Sequence, residues 1–344
     1  MGKPKWPLRI AVTYIGTVIG AGFASGQEII QFFSLHGTAS WYGIALAALL
    51  FIVWGTFFLI LAGQSQAESY TQLLKQYLGR WYCFFDLSLT FFLFIGLSVM
   101  LAGCGAVFAE NLNVSADLGI LSSAFISGLI VLFGIQGLML ANSIIVPLMF
   151  VLTVLAGVLT YSCQGSHWPE AQLFSHNGWL KHVLLYVAYN MILSIGVLLA
   201  LGQEFKDKRV LARGAFLGGI GLGILLLFNN YSLLAWYPVS FRYQVPMLHI
   251  VKQYGGYFYW SYLLILWLEM LSTAIANLYS LAKKIAIFQW LSYEQSVCLM
   301  LLLVLPVSYF SFSFLIEYLY PLMGYFSLFL FFLLSWTFFT NKSR

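Results

Sequence analysis

Apolar residues in this chain do not alternate with polar ones; they run on without a break for the length of a membrane crossing. Such runs fall at 8–34, 41–61, 85–109, 118–135 and 138–162 in the first half, and at 179–201, 214–236, 257–282, 296–314 and 315–340 in the second. About 20 continuous apolar residues make a helix long enough to cross the hydrocarbon core of a bilayer. Continuous runs predict helices, because a membrane barrel would instead alternate with period two. The pattern therefore predicts an all-α integral membrane protein of ten transmembrane helices, a single transmembrane domain with short connections. Two connections are longer, 164–178 and 237–256, and each has the composition of short surface helices or flaps. The 64–81 segment carries Tyr70, Leu73, Leu74, Tyr77 and Leu78 at helical spacing, the mark of an amphipathic helix lying in the interface.

Composition removes whole classes of function. Of 344 residues, 61% are apolar and only 8% charged, where a soluble globular protein carries about 25% charge. Soluble enzymes and nucleic-acid-binding modules are excluded, and membrane lipids become the surrounding partner. Charge placement then sets orientation. Of the 16 lysines and arginines, all but Lys181, Arg242 and Lys252 fall on one side of a ten-crossing arrangement, so both termini are placed in the cytoplasm of a multi-pass protein of the cytoplasmic membrane. The first run, with Gly20, Gly22, Gln27 and Glu28 inside it, reads as a retained helix and not a signal peptide. Cys83, Cys104, Cys163 and Cys298 stand singly and read as small apolar residues.

An ionisable side chain is costly at membrane depth, so the few that lie there point to function. Most of the 11 acids sit near run ends, which leaves Glu28 in the first run and Glu269 in the eighth. Around Glu28 the sequence Gly16-Thr17-Val18-Ile19-Gly20-Ala21-Gly22-Phe23-Ala24-Ser25-Gly26-Gln27-Glu28 concentrates glycine, and each glycine disfavours continuous helix by about 1 kcal/mol relative to alanine. The helix is expected to break near 20–25, close to the middle of its run. Freed backbone groups there must face protein or a water-filled cavity, and N–H groups near Ser25 and Gly26 are expected to hold an anion such as a solute carboxylate. In the sixth run Tyr189 and Asn190 lie near the centre, and Asn190 follows Ala21 by about half the chain, the spacing of two repeats each opened by a discontinuous helix. In the eighth run Glu269, Ser272, Thr273, Asn277 and Ser280 share one helical face. No phosphate-binding G-x-x-x-x-G-K-[ST] motif occurs, and the histidines His36, His167, His176, His182 and His249 all lie near or beyond run ends, so neither ATP hydrolysis nor metal-assisted chemistry is expected.

The stretch from Gly20 to Glu28 resembles the broken-helix signature of the amino acid-polyamine-organocation superfamily with the LeuT fold, and 11–33 is similar to the YkvI-like family of bacterial membrane proteins. The resemblance implies two inverted five-helix repeats, 1–163 and 164–344, with helices 1 and 6 discontinuous. It implies a substrate between those helices and often a cation between helices 1 and 8. Gly20 and Gly22 match the family's glycine pair at the break, and with Phe23, Ala24, Ser25, Gly26, Gln27 and Glu28 beside them and Tyr189 and Asn190 of the sixth run they make the expected substrate set. The cation or proton set is the carbonyls of Gly16 and Ile19 with Glu269, Ser272 and Thr273, where Glu269 replaces the neutral residue of sodium-coupled relatives. The expected function is secondary active transport of a small polar solute, an amino acid or a related zwitterion or amine, by alternating access coupled to Na+ or H+. No enzymatic activity is expected and no cofactor beyond a bound Na+. An amino-acid-sensing receptor subunit similar to spore-germinant receptors is the alternative, followed by an intramembrane lipid-modifying enzyme using Glu28 and Glu269 as acid and base.

Overall fold

The computed structural model describes residues 6–65, 72, 75, 79, 82–165, 178–286 and 290–341. Within them the chain is helical wherever the apolar runs fall. The helices are α1 (Trp6–Val18), α2 (Ala21–Ser25), α3 (Gln27–Phe32), α4 (Ser40–Gln64), α5 (Tyr82–Asn111), α6 (Ala116–Val131) and α7 (Gly134–Gln164). They continue as α8 (Trp179–Leu193), α9 (Ile195–Phe205), α10 (Lys208–Ala235), α11 (Pro246–Val251), α12 (Gly256–Ala286), α13 (Tyr293–Ser308) and α14 (Phe312–Asn341). Six of these, α4, α5, α7, α10, α12 and α14, contain stretches long and apolar enough to cross a membrane, and the bent pair α8 and α9 makes a seventh. The interfacial helix expected over 64–81 and the 164–178 connection lie almost wholly outside the described residues.

Two boundaries differ from expectation. The last two runs part at Tyr309–Ser311, not after Phe314, because no charge or glycine marks the turn between two equally apolar segments. The 237–256 connection forms short helices, as expected, but α11 packs into the bundle and not on its surface, with Met247, Leu248, Ile250 and Val251 buried.

The bundle is held by close helix contacts and by a few polar ties. The hydroxyl of Tyr14 on α1 donates to the Phe51 carbonyl of α4 at 2.9 Å. Helix α10 runs along α4 so closely that a Cβ on Gly219 would meet the Ile52 backbone nitrogen at 2.9 Å, the small-residue approach that lets helices pack without a hydrophobic driving force. Backbone cannot yield as a flexible side chain does, so Gly219→Val is expected to lower stability by about 1–3 kcal/mol. A reduced thermal midpoint of the purified protein checks this.

At the lysine-rich end, the Lys284 ammonium of α12 pairs with Asp86 Oδ2 of α5 at 2.6 Å, and also donates to the Asp86 carbonyl and to Thr90. Near the other end, His36 Nε2 and His182 Nδ1 lie 2.7 Å apart and share a hydrogen bond.

Candidate functional site

The first helix stops at Val18. Its last helical bond runs from the Ile19 N–H to the Ile15 carbonyl, and the next opens from the Ala24 N–H to the Gly20 carbonyl. The carbonyls of Gly16, Thr17 and Val18 therefore lie past the last bond of α1. A second interruption follows at once. Gly26 adopts φ 90°, a left-handed conformation suited to glycine, and makes an elbow between α2 and α3.

Long-range hydrogen bonds hold this broken stretch. Thr273 Oγ1 of α12 donates to the Ile19 carbonyl at 3.0 Å, and Tyr262 Oη of the same helix donates to the Ala24 carbonyl at 3.2 Å. Tyr262, Glu269 and Thr273 are separated by seven and four residues, so they share one face of α12. Glu269 is thus placed between the two bonds, facing the Gly20–Phe23 stretch. Its side chain is fully buried, and neither carboxyl oxygen has a hydrogen-bond partner. A buried carboxyl left unpaired costs several kcal/mol, so it calls for a role.

Beside the break lies an enclosed cavity of about 20 Å³, room for roughly one water molecule. Thr17, Gly20, Glu28, Tyr189, Thr273 and Tyr320 are among the residues that line it, together with Asn190, Asn277 and Met100. Glu28 is 2% exposed, and Oε2 accepts a hydrogen bond of 2.5 Å from the Tyr189 hydroxyl. Its carboxyl folds back onto α2: a Cβ on Gly22 would fall 2.5 Å from Glu28 Cδ and closer still to Oε1. Toward the histidine pair a layer of packed rings lies behind Tyr189. His182, Tyr186 and Tyr189 occupy successive turns of α8, and Tyr186 packs against Phe33 at 4.9 Å and Phe32 at 5.5 Å between ring centroids.

The expected site residues divide into three groups. Gly20, Glu28, Tyr189 and Asn190 line the cavity, as does Thr273 from the ion set. Gly16, Ile19, Glu269 and Ser272 are buried at or beside the α1–α12 contact, with Ile19 and Thr273 directly bonded. The remainder hold the broken stretch together and do not line the cavity. Phe23 and Ala24 are fully buried. Ser25 Oγ donates to the Gly22 carbonyl and accepts from the Gln27 N–H across the elbow. The Gly26 N–H is taken by the Phe23 carbonyl, and a side chain there would press on Leu233 and Met247. In this structure the Gly26 and Gln27 N–H groups, where a solute carboxylate is expected, are bonded within the elbow.

Helix α8 differs in the same way. It is not unwound around Asn190, whose Nδ2 donates to the Tyr186 carbonyl of its own helix at 3.0 Å. The chain instead bends by 59° at Ser194 between α8 and α9, where Ser194 Oγ bonds back to the Asn190 carbonyl at 2.7 Å, a contact that bends helices. Tyr320, Met100 and Gly96 of the lining carry no sequence signal that singles them out. Asn277 does, as part of the polar stripe with Glu269; its Nδ2 is buried without a partner and lies against Gly96.

No family model matches the chain. The uncharacterized membrane protein YkvI of Bacillus subtilis strain 168 is 31% identical to it over 326 residues, covering 93% of this chain and 92% of that one. The uncharacterized protein YyaD of the same organism is 25% identical over 327 residues, covering 95% and 94%. Among solved structures, Mhp1, a nucleobase-cation-symport-1 family transporter in a closed conformation with bromovinylhydantoin bound, matches with a TM-score of 0.64 at 15% identity, over 90% of this chain and 74% of that chain. MhsT in complex with L-phenylalanine matches with a TM-score of 0.65 at 17% identity, over 89% and 80%. A manganese transporter from Eremococcus coleocola matches at 0.56 and 11% identity, over 91% and 74%. At these identities the likeness is one of fold: a multi-pass helical membrane protein built like the LeuT-fold transporters.

Proposed function

Because the chain belongs to the family of the Bacillus subtilis membrane protein YkvI and shares the fold of Mhp1 and MhsT, we propose that it is a secondary active transporter of a small polar solute. It works by alternating access, driven by Na+ or H+, and belongs with the amino acid-polyamine-organocation superfamily. The observation that carries this reading is the small cavity beside an interrupted helix, with the buried acid Glu28 on its wall and the buried acid Glu269 one helical turn from its Thr273. A buried acid beside water-sized space is costly in a merely structural bundle and useful where a charged ligand or ion enters.

In this reading α1 to α3 form one crossing, α8 and α9 another, and α4, α5, α6, α7, α10, α12, α13 and α14 the other eight, in two inverted repeats of 1–163 and 164–344. Both termini face the cytoplasm. Reporter fusions after Asn113 are expected to report the outside and fusions after Arg209 the inside; the same side for both overturns the arrangement.

The solute enters when this cavity, which here has room for about one water, widens between Gly20, Glu28, Tyr189, Asn190, Asn277 and Tyr320, while Gly22 supports Glu28 and Phe23 to Gln27 shape the broken stretch. The coupling ion sits at Glu269, Ser272 and Thr273 with the carbonyls of Gly16 and Ile19. Carboxylate, hydroxyl and carbonyl oxygens are hard donors of the kind that suit Na+, and the two unpartnered oxygens of Glu269 fit either that ion or a proton. The aromatic layer of Phe32, Phe33 and Tyr186 is the barrier that must part for the solute to pass. Reconstitution in liposomes tests the reading. An imposed Na+ or pH gradient is expected to drive accumulation of labelled solute, and its absence under both gradients, for solutes that bind, overturns transport.

A further inference from the structure

Resting on the transport reading of this cavity, we propose that its solute is an organic amine with no carboxylate of its own, held by Glu28 as counter-ion beside the rings of Tyr189 and Tyr320.

The charge of the lining comes first. Glu28 is the one ionisable acid or base on it; its other polar groups are hydroxyls of Thr17, Thr273, Tyr189 and Tyr320 and the amides of Asn190 and Asn277. Among the described residues no lysine, arginine or histidine pairs with Glu28, although the fold does supply such a partner elsewhere, Lys284 for Asp86. A buried acid with no basic partner is neutral while the cavity is closed and becomes a counter-ion when a ligand brings a cation to it. The same lining offers nothing to neutralise a second carboxylate, and a zwitterion would bring one within reach of Glu28.

Position adds a second reason. The chain's own Glu28 carboxyl lies against the broken stretch, on Gly22 so tightly that any side chain at that glycine would collide with it. The protein thus carries the acid that an amino acid would otherwise bring.

The surroundings suit a cation as well. The Tyr189 ring lies 5.0 Å from that of Tyr320, 5.6 Å from Tyr186 and 5.5 Å from Phe32, and aromatic faces attract ammonium groups, more strongly once water is excluded.

Matched pairs test the idea. Leucine and isopentylamine, or phenylalanine and phenethylamine, differ only in the carboxylate, and isovalerate carries the acid without the amine. Thermal-shift titrations of the purified full chain are expected to show stabilisation by the amines, at least tenfold weaker binding of the matching amino acids, and none of isovalerate. Tyr189→Phe keeps the ring and removes the hydroxyl that bonds Glu28, so it should weaken amine binding several-fold. Glu28→Gln should abolish it. Amino acids binding as well as their amines, amine affinity unchanged in both variants, or no response to any amine would each overturn the proposal. Amines that bind but are not carried across liposomes under either gradient would leave the amine site standing and overturn transport instead.

Discussion

Gly22→Ala is expected to abolish solute binding, whereas Gly20→Ala leaves it nearly intact. Both glycines belong to the same motif and both lie at the break, so sequence alone treats them alike. The structure separates them. A Cβ on Gly20 meets the terminal methyl of Met100 at 3.3 Å and Thr273 Cγ2 at 3.6 Å, contacts that a flexible methionine relieves by small rotations. A Cβ on Gly22 falls within 2.5 Å of Glu28 Cδ, with Cγ and Oε1 closer still. The carboxyl must then leave its place, and with it the 2.5 Å bond from Tyr189. Overpacking of this kind costs about 1–3 kcal/mol, and loss of the charged contact weakens binding by at least about tenfold, or 1.4 kcal/mol. Removing the obstacle distinguishes a clash from general damage. In the double variant Gly22→Ala with Glu28→Ala, the thermal midpoint should recover toward that of Glu28→Ala alone while binding stays absent. Strictly additive losses would mean that the two residues do not touch.

Much of this architecture is legible in the sequence because membrane helices are written as apolar length. Each of the ten runs is helical, and glycine spacing between 16 and 26 announces the break, since glycine weakens a helix whatever its surroundings. The exact points of interruption are not written there. Ile19 and Ala24 are held by hydroxyls 254 and 238 residues away in the chain, so the break lies where α12 grips it and the elbow where Gly26 turns. Asn190 marks the neighbourhood of the second interruption but not its point. A mid-membrane asparagine suggests an unwound helix, but it bonds to its own preceding turn, and the bend moved one turn on to Ser194. Tyr320 was hidden by abundance. With 21 tyrosines and 31 phenylalanines in the chain, one more ring in the last helix carries no signal until packing brings it to Tyr189.

The coupling ion follows from what Glu269 loses when its charge is removed. Glu269→Gln preserves shape and polarity but cannot carry a proton or a negative charge. Since both carboxyl oxygens are buried and unpartnered, the change removes an ionisable group whose placement at membrane depth costs about 2.5–3.5 kcal/mol when charged. The thermal midpoint of the variant in detergent should therefore equal or exceed that of the wild type, where most losses of a buried polar group would lower it. Function should move the other way, as expected when a destabilising group is kept for its use. If Na+ is the ion, Glu269→Gln and Thr273→Ala both weaken the Na+ dependence of solute binding by tenfold or more, because the Thr273 hydroxyl and the Ile19 carbonyl it touches are ligands together. If the ion is a proton, Glu269→Gln flattens the pH dependence of uptake while Thr273→Ala keeps it, since a hydroxyl does not titrate in the working range. Titrating solute affinity against Na+ at fixed pH, then against pH at fixed Na+, separates the two. Wild-type responses to both in Glu269→Gln would make this acid a structural one, and the coupling site would then have to be sought among the remaining oxygens around the cavity, Thr17 and Asn277 first.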